Sequence, residues 1–258
     1  MRHPAGMDAV SARYAFVDVE TTGFSPITCA VVEVACLVVD HGEVVATFET
    51  LVDPQQPIPP YVTAIHGITD QDVASKPALA NVAPFVASLC DGAIVVAHNA
   101  GFDLGFLPFL QKYPSLCSYR LAYRVVPEAP NHRNQTLGDF FQVSDPILES
   151  RSAHRALADA IVTRHVFFAC LKRYLRAGLP SDVRSLIAFT RRHPQLCRYE
   201  QRVSCHAELA PCHPELVPCH AEQCACAERR RSIEAPPSSR FSTAHTVSTT
   251  STPKFHFR

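Results

Sequence analysis

Apolar residues fall in short runs over the first hundred positions and recur at helical spacing after that. Tyr14–Glu20, Ala30–Val39 and Val44–Val52 are rich in Val, Phe and Thr, which predicts three strands. The polar stretch Asp40–Glu43 between the second and third predicts a hairpin. The Pro-rich segment Asp53–Pro60 then breaks the sheet. A helical pattern around Leu79–Leu89 leads into the short apolar run Ala93–Ala97, which reads as a buried parallel strand. Helices are expected at about Phe102–Gln111, Tyr119–Val125 and Thr136–Phe141. The longest is expected over His154–Leu175, where Leu157, Ile161, Val162, Val166, Phe168 and Leu171 recur near the helical period. Gly178 and Pro180 end it. A meander followed by alternating helix and strand predicts an α/β fold, a mixed sheet with antiparallel and parallel pairs flanked by helices.

The pattern places one domain at residues 11–178 and a short helical extension at 179–204, with Leu179–Leu196 as its helix. A low-complexity tail, expected to be disordered, takes 205–258. In that tail CHAELAP, CHPELVP and CHAEQCA form a seven-residue repeat. Pro211, Pro214 and Pro218 rule out a helical heptad there. Cys205, His206, Cys212, His213, Cys219, His220, Cys224 and Cys226 are suitable zinc ligands, but their seven-residue step differs from the spacing of known knuckles.

Composition narrows the class. Hydrophobic residues make up 47% and charged residues 19% of the chain, which excludes wholesale disorder. No run approaches the ~18 apolar residues needed to span a bilayer, and Met1–Val10 lacks a signal pattern. The expectation is a cytoplasmic protein with no membrane contact. In that compartment the eleven cysteines are not a disulfide framework. Cys29, Cys36, Cys90, Cys117 and Cys170 sit mostly among apolar residues and read as small core side chains. Between Tyr14 and Arg176, eleven Lys and Arg stand against sixteen Asp and Glu, hence −5. A nucleic-acid binder normally carries basic excess, except where acidic residues hold cations at the phosphate site.

Three constellations carry candidate chemistry. In the first strand, Val17-Asp18-Val19-Glu20 alternates apolar and acidic, so the two carboxylates share a face roughly 6.5–7 Å apart. Thr21-Thr22-Gly23 follows, suited to close backbone contact with a phosphate. In VVAHNAGFD, a buried strand opens into a helix at the position where α/β sheets place ligand groups. Asp103 is the candidate acid there, with Asn99 and Phe102 beside it; a helix cap is the plain alternative for Asp103. In AHRALADA, Asp159 lies on the long helix and His154 five residues earlier, ~140° around an ideal helix. The two do not share a face, which fits a histidine on the loop or first turn and an aspartate fixed to the helix. Four carboxylates suit a pair of hard ions that also take phosphate oxygens, and His154 completes a general base.

VDVETTG, HNAGFD and HRALAD resemble the three motifs of the DnaQ-like, DEDD-type 3′→5′ exonucleases with a histidine in the third motif. PIPPYVTAIHGITDQDV resembles the loop those enzymes place between the early sheet and the second motif. Within the family, CSYRLAYRVVPEAPNHRNQTL and SLIAFTRRHPQL look most like exodeoxyribonuclease X, with features of DNA polymerase III epsilon subunits. The resemblance covers about Tyr14 to Leu175. It implies a ribonuclease-H-like fold and two divalent ions, Mg²⁺ or Mn²⁺, held by Asp18, Glu20, Asp103 and Asp159. It also implies release of nucleoside 5′-monophosphates from a nucleic-acid 3′ end. Thr21, Gly23, His66, Asn99 and Phe102 would contact the terminal nucleotide, though His66 also has a structural reading. DNA is expected over RNA, with a DNA polymerase as a candidate partner. The alternatives are an RNA exonuclease, whose 2′-OH contacts the motifs do not encode, and a non-catalytic nucleic-acid-binding module, which would lack a motif acid or the histidine.

Overall fold

The computed structural model describes residues 6–148 and 154–191. The Cys/His repeat and the Ser/Thr-rich tail lie outside the described residues. A five-stranded sheet has the order β3-β2-β1-β4-β5. β1 (Tyr14–Thr21), β2 (Val31–Asp40) and β3 (Glu43–Leu51) form an antiparallel meander. β4 (Ile94–Ala97) and β5 (Ser115–Cys117) continue it in parallel with β1. Nine successive residues of β2, Val31–Val39, are buried, in keeping with its place between β1 and β3. β3 lies at an edge and leaves much of its length exposed or half-exposed.

α3 (Leu79–Leu89), α4 (Ala100–Phe106), α5 (Ser118–Val125), α6 (Asn134–Phe140) and α7 (Ala156–Arg176) fall where the hydrophobic periods predict helices. α4 is shorter than predicted: it stops at Phe106 before Pro108, and Pro108–Leu110 turns as a separate 3-10 helix. Three elements were not predicted: α1 (Pro60–His66), α2 (Asp70–Val73) and β5. The proline run that ends the sheet also begins a helix, because Pro60 sits in the first turn of α1, where its missing N–H costs nothing. Gly67 closes that helix at φ 75°, a left-handed position suited to glycine.

The alternation of β1 sorts its residues between two cores. Tyr14 and Phe16 face a core built with α5, α7 and α8 (Val183–Arg191); Ala15, Val17 and Val19 face another built with α3 and α4. Phe167 of α7 packs edge-on against Tyr14 and Phe16, with ring centroids 4.9 and 5.6 Å away. Truncating a ring so placed costs about 3–5 kcal/mol. α8 contributes Val183, Leu186 and Ile187 to this core. The carbonyl of Phe189 accepts a hydrogen bond from the buried Arg124, whose guanidinium lies 4.6 Å from the Phe189 ring. Beside α8 the start of the domain is tied down: Ala9 N–H donates to Ser181 and Val183 N–H to Met7, at 2.7 and 2.9 Å.

Candidate active site

Midway along the α7 face of β1 the side chains change from aromatic to acidic: Tyr14 and Phe16 are followed by Asp18 and Glu20. The first half lies under the aromatic C-terminal part of α7. The acids meet Asp159, near its start. One oxygen from each of Asp18, Glu20 and Asp159 lies within 4.8 Å of the others. These three are half-buried. Asp103, from α4, is not in that triplet, but it is close enough to raise the Asp18 carboxyl. It is buried, and its Oδ2 has no hydrogen-bond partner. Asp103 is therefore more than a helix cap; an unpaired buried carboxylate oxygen is costly unless a cation or donor meets it.

The electrostatics point the same way. Burial, then the charges of Asp103, Asp159, Glu20 and Glu33, push the Asp18 carboxyl well above the usual range. Burial lifts Glu20 to about 8, reinforced by Asp159 and Glu33 and opposed by Arg155. Burial also lifts Asp103 to about 8, against hydrogen bonds from its own backbone and that of Val19. Asp159 is raised by burial and eased downward by His154 and by a hydrogen bond from Gln135. Four carboxyls that resist ionising together are a donor set that a hard cation relieves, and carboxylate oxygens are the ligands such cations prefer. The residues present fit a divalent-ion site.

His154 is exposed, at φ 61°, two residues ahead of α7 rather than within it, and close enough to Asp159 to lower that carboxyl. Thr21 donates to the carbonyl of Gly23 at 2.7 Å, which folds the chain sharply after β1. Gly23 leaves little room for a side chain: a Cβ there would lie 2.7 Å from Cys29 Sγ and 3.3 Å from the Tyr61 hydroxyl. His66 is buried, and its Nδ1 accepts from the Ile68 N–H at 3.0 Å. Its Nε2 has no partner and lies toward the Thr21 backbone. Asn99 is exposed and left-handed, at φ 66°, at the head of α4. Phe102 is half-buried, with its ring 5.0 Å from that of Phe106.

Two supports were missed from sequence. Asn134 donates to the Asp159 carbonyl at 3.0 Å and Gln135 to its carboxylate, so the head of α6 braces the third acid. Glu33 of β2 is bonded to Arg155. A lone acid inside the apolar run VVEVACLVV was the available signal.

Sheet order, helix placement and acid cluster define a ribonuclease-H-like nuclease domain, and the comparisons agree. Residues 15–167 match the RNase T family model, described as an exonuclease, and the chain belongs to that family. It is 31% identical over 180 residues to a PolC-type DNA polymerase III of Caldanaerobacter subterraneus, covering 67% of this chain and 12% of that one. It is 34% identical over 191 residues to a DNA polymerase III subunit epsilon-like protein of Rhodobacter capsulatus, covering 70% and 27%. The chain thus spans only a small part of these relatives. Among solved structures, exonuclease X in complex with 5′-overhanging duplex DNA superposes with a TM-score of 0.58 at 29% identity, over 69% of this chain and 99% of that one. No helix among the described residues is long and apolar enough to cross a membrane.

Proposed function

We propose that this protein is a 3′→5′ exonuclease that removes nucleoside 5′-monophosphates from DNA 3′ ends with two divalent ions, Mg²⁺ or Mn²⁺. The observation that carries the reading is the convergence of Asp18, Glu20 and Asp159 oxygens within 4.8 Å, with the unpaired Asp103 oxygen and the exposed His154 at its border. Asp18, Glu20, Asp159 and Asp103 would hold the ions. When bound, such ions supply positive charge to a scissile phosphate and its leaving oxygen. His154 takes the proton from the attacking water as general base, a role that its exposure and its place beside Asp159 permit. Thr21, Gly23 and Asn99 offer short or polar positions for the terminal nucleotide, His66 an unpaired ring nitrogen, and Phe102 an aromatic surface.

DNA is favoured over RNA because the exonuclease X neighbour is a DNA complex. The names of the two polymerase III relatives favour a second reading of the same activity, as a proofreading partner of a DNA polymerase. The five described cysteines are unpaired, which suits a cytoplasmic setting. The test is digestion of 5′- and 3′-end-labelled single-stranded, recessed and mismatched DNA, and of RNA of the same sequence, with Mg²⁺ or Mn²⁺. Shortening from the 3′ end, lost with chelator, is expected; degradation from the 5′ end, or a preference for RNA, overturns the assignment.

A further inference from the structure

Glu33 is 1% exposed in the middle of the sheet, a position where a carboxylate costs several kcal/mol unless bonded on all sides. Its oxygens are fully engaged. Arg155 Nε donates to both, at 3.1 and 3.0 Å, and the same guanidinium donates again to Oε1. The Ala156 N–H donates to Oε2 at 2.9 Å. The last bond matters for α7, because the residue that opens this helix, Arg155, has an extended backbone and no capping side-chain bond of its own. The cap is supplied from β2 instead, and it places negative charge at the positive end of a 21-residue helix.

Both candidate groups of the third motif hang on this junction. The Asp159 N–H donates to the Arg155 carbonyl at 3.0 Å, so Arg155 opens the helical turn that carries the acid. His154 is the adjacent residue, and its φ of 61° is a conformation that a non-glycine residue keeps only when its surroundings impose it. On the other side of the tie, Glu33 stands directly opposite Glu20 in the β1–β2 pairing. The strand pair that fixes Glu20 therefore also fixes Arg155. Glu33 contributes no oxygen to the Asp18, Glu20 and Asp159 triplet.

We propose that Glu33 and Arg155 are positioning residues that register His154 against the sheet-borne acids. This rests on His154 being the base. The planar guanidinium is essential to it, because it spans both carboxylate oxygens as a lysine cannot.

The experiment is a double-mutant cycle: Arg155→Lys and Glu33→Gln, each in wild-type and His154→Ala protein, assayed on a DNA oligonucleotide with Mn²⁺. Arg155→Lys keeps the charge and Glu33→Gln keeps the shape, and thermal melting checks that each folds. In the wild-type background either substitution lowers kcat by ~10–10²-fold, the size of effect an ångström of misplacement produces. KM and the Mn²⁺ midpoint stay within about twofold. In the His154→Ala background the same substitutions change kcat by less than about twofold, because the group they position is gone. In metal-free protein the His154 imidazole NMR resonances move in Arg155→Lys. Equal losses in both backgrounds, a defect mainly in Mn²⁺ affinity, unchanged kcat or unmoved resonances each overturn the proposal. A near-normal His154→Ala enzyme would sink the base assignment itself, whereas a disabled His154→Ala enzyme with additive losses would sink only the positioning role.

Discussion

Asp18 and Glu20 stand on a regular strand, each paired with a residue of β2, whereas His154 stands outside any regular element, on left-handed backbone. The acids are placed by the period of the strand: once Tyr14 and Phe16 face α7, residues 18 and 20 face the same way. No such rule places the histidine. Its position follows from bonds between residues far apart in the chain. The contrast suits the two roles proposed for them. Cation ligands must stay close despite mutual repulsion, which demands rigidity, while a base that exchanges protons with water needs solvent access.

The sharpest way to break this comparison is to remove an acid. Asp18→Ala should take turnover to background, a larger loss than that of a general base, yet leave the fold intact because repulsion among the carboxyls is relieved. Appreciable residual turnover on end-labelled DNA would show that the site is not organised around Asp18.

His154→Ala comes next. It should lower kcat by ~10²–10⁴-fold with Mn²⁺ affinity near wild type, and the acidic limb of the pH–rate profile should disappear. A variant whose main defect is metal affinity would move the histidine to the ligand side.

A third test concerns stability. Glu20 and Asp103, each pushed up to about 8, favour the folded state fully only below the ordinary carboxylate range of about 4. That contribution is lost as the pH rises toward 8. The lowered carboxyls of Asp40, Asp72, Glu128, Asp145 and Asp182 act in the opposite sense at more acidic pH, and so do the imidazoles of His66, His98 and His132, which burial holds below their usual range, up to about 6.5. Metal-free protein should therefore melt about 3 °C or more lower at pH 8 than at pH 6.5, and Mg²⁺ or Mn²⁺ should recover the difference. A melting temperature that is flat or rises over this window, without metal, would remove the argument for a strained acid cluster.

Gly23→Ala probes the turn after the acids. The added carbon meets Cys29 Sγ at 2.7 Å, and the thiol can rotate, so a loss of about 1 kcal/mol is expected, or roughly 2–4 °C in melting temperature. A wild-type melting curve would show that the turn relaxes freely. The smallest effect should come from cutting the chain after Leu196, which removes no motif residue and should leave a folded enzyme of near-normal rate. Loss of most activity would give the tail a role.

The regular half of the site was legible in the sequence and much of the irregular half was not. Period two put Asp18 and Glu20 on one face, and the helical period placed Asp159. β5 escaped because three residues at a sheet edge carry no period. α1 and α2 escaped because seven and four residues are too few for one, and the prolines before α1 read only as breakers. The bond from Glu33 to Arg155 joins residues 122 positions apart, a distance over which local pattern says nothing. What the pattern did hold was an anomaly, one acid in an otherwise apolar strand, and a buried charge requires a partner.

The pairing of Met7 and Ala9 with residues 181–183 clasps the chain ahead of β1 to the segment that joins α7 to α8. A pull on the chain ahead of Met7 is taken up by that clasp before it reaches β1 and the acids it carries, which suits a domain joined to other chain. In the polymerase III relatives the matching stretch is an eighth or a quarter of the whole, so the same stretch also occurs joined to much longer chain.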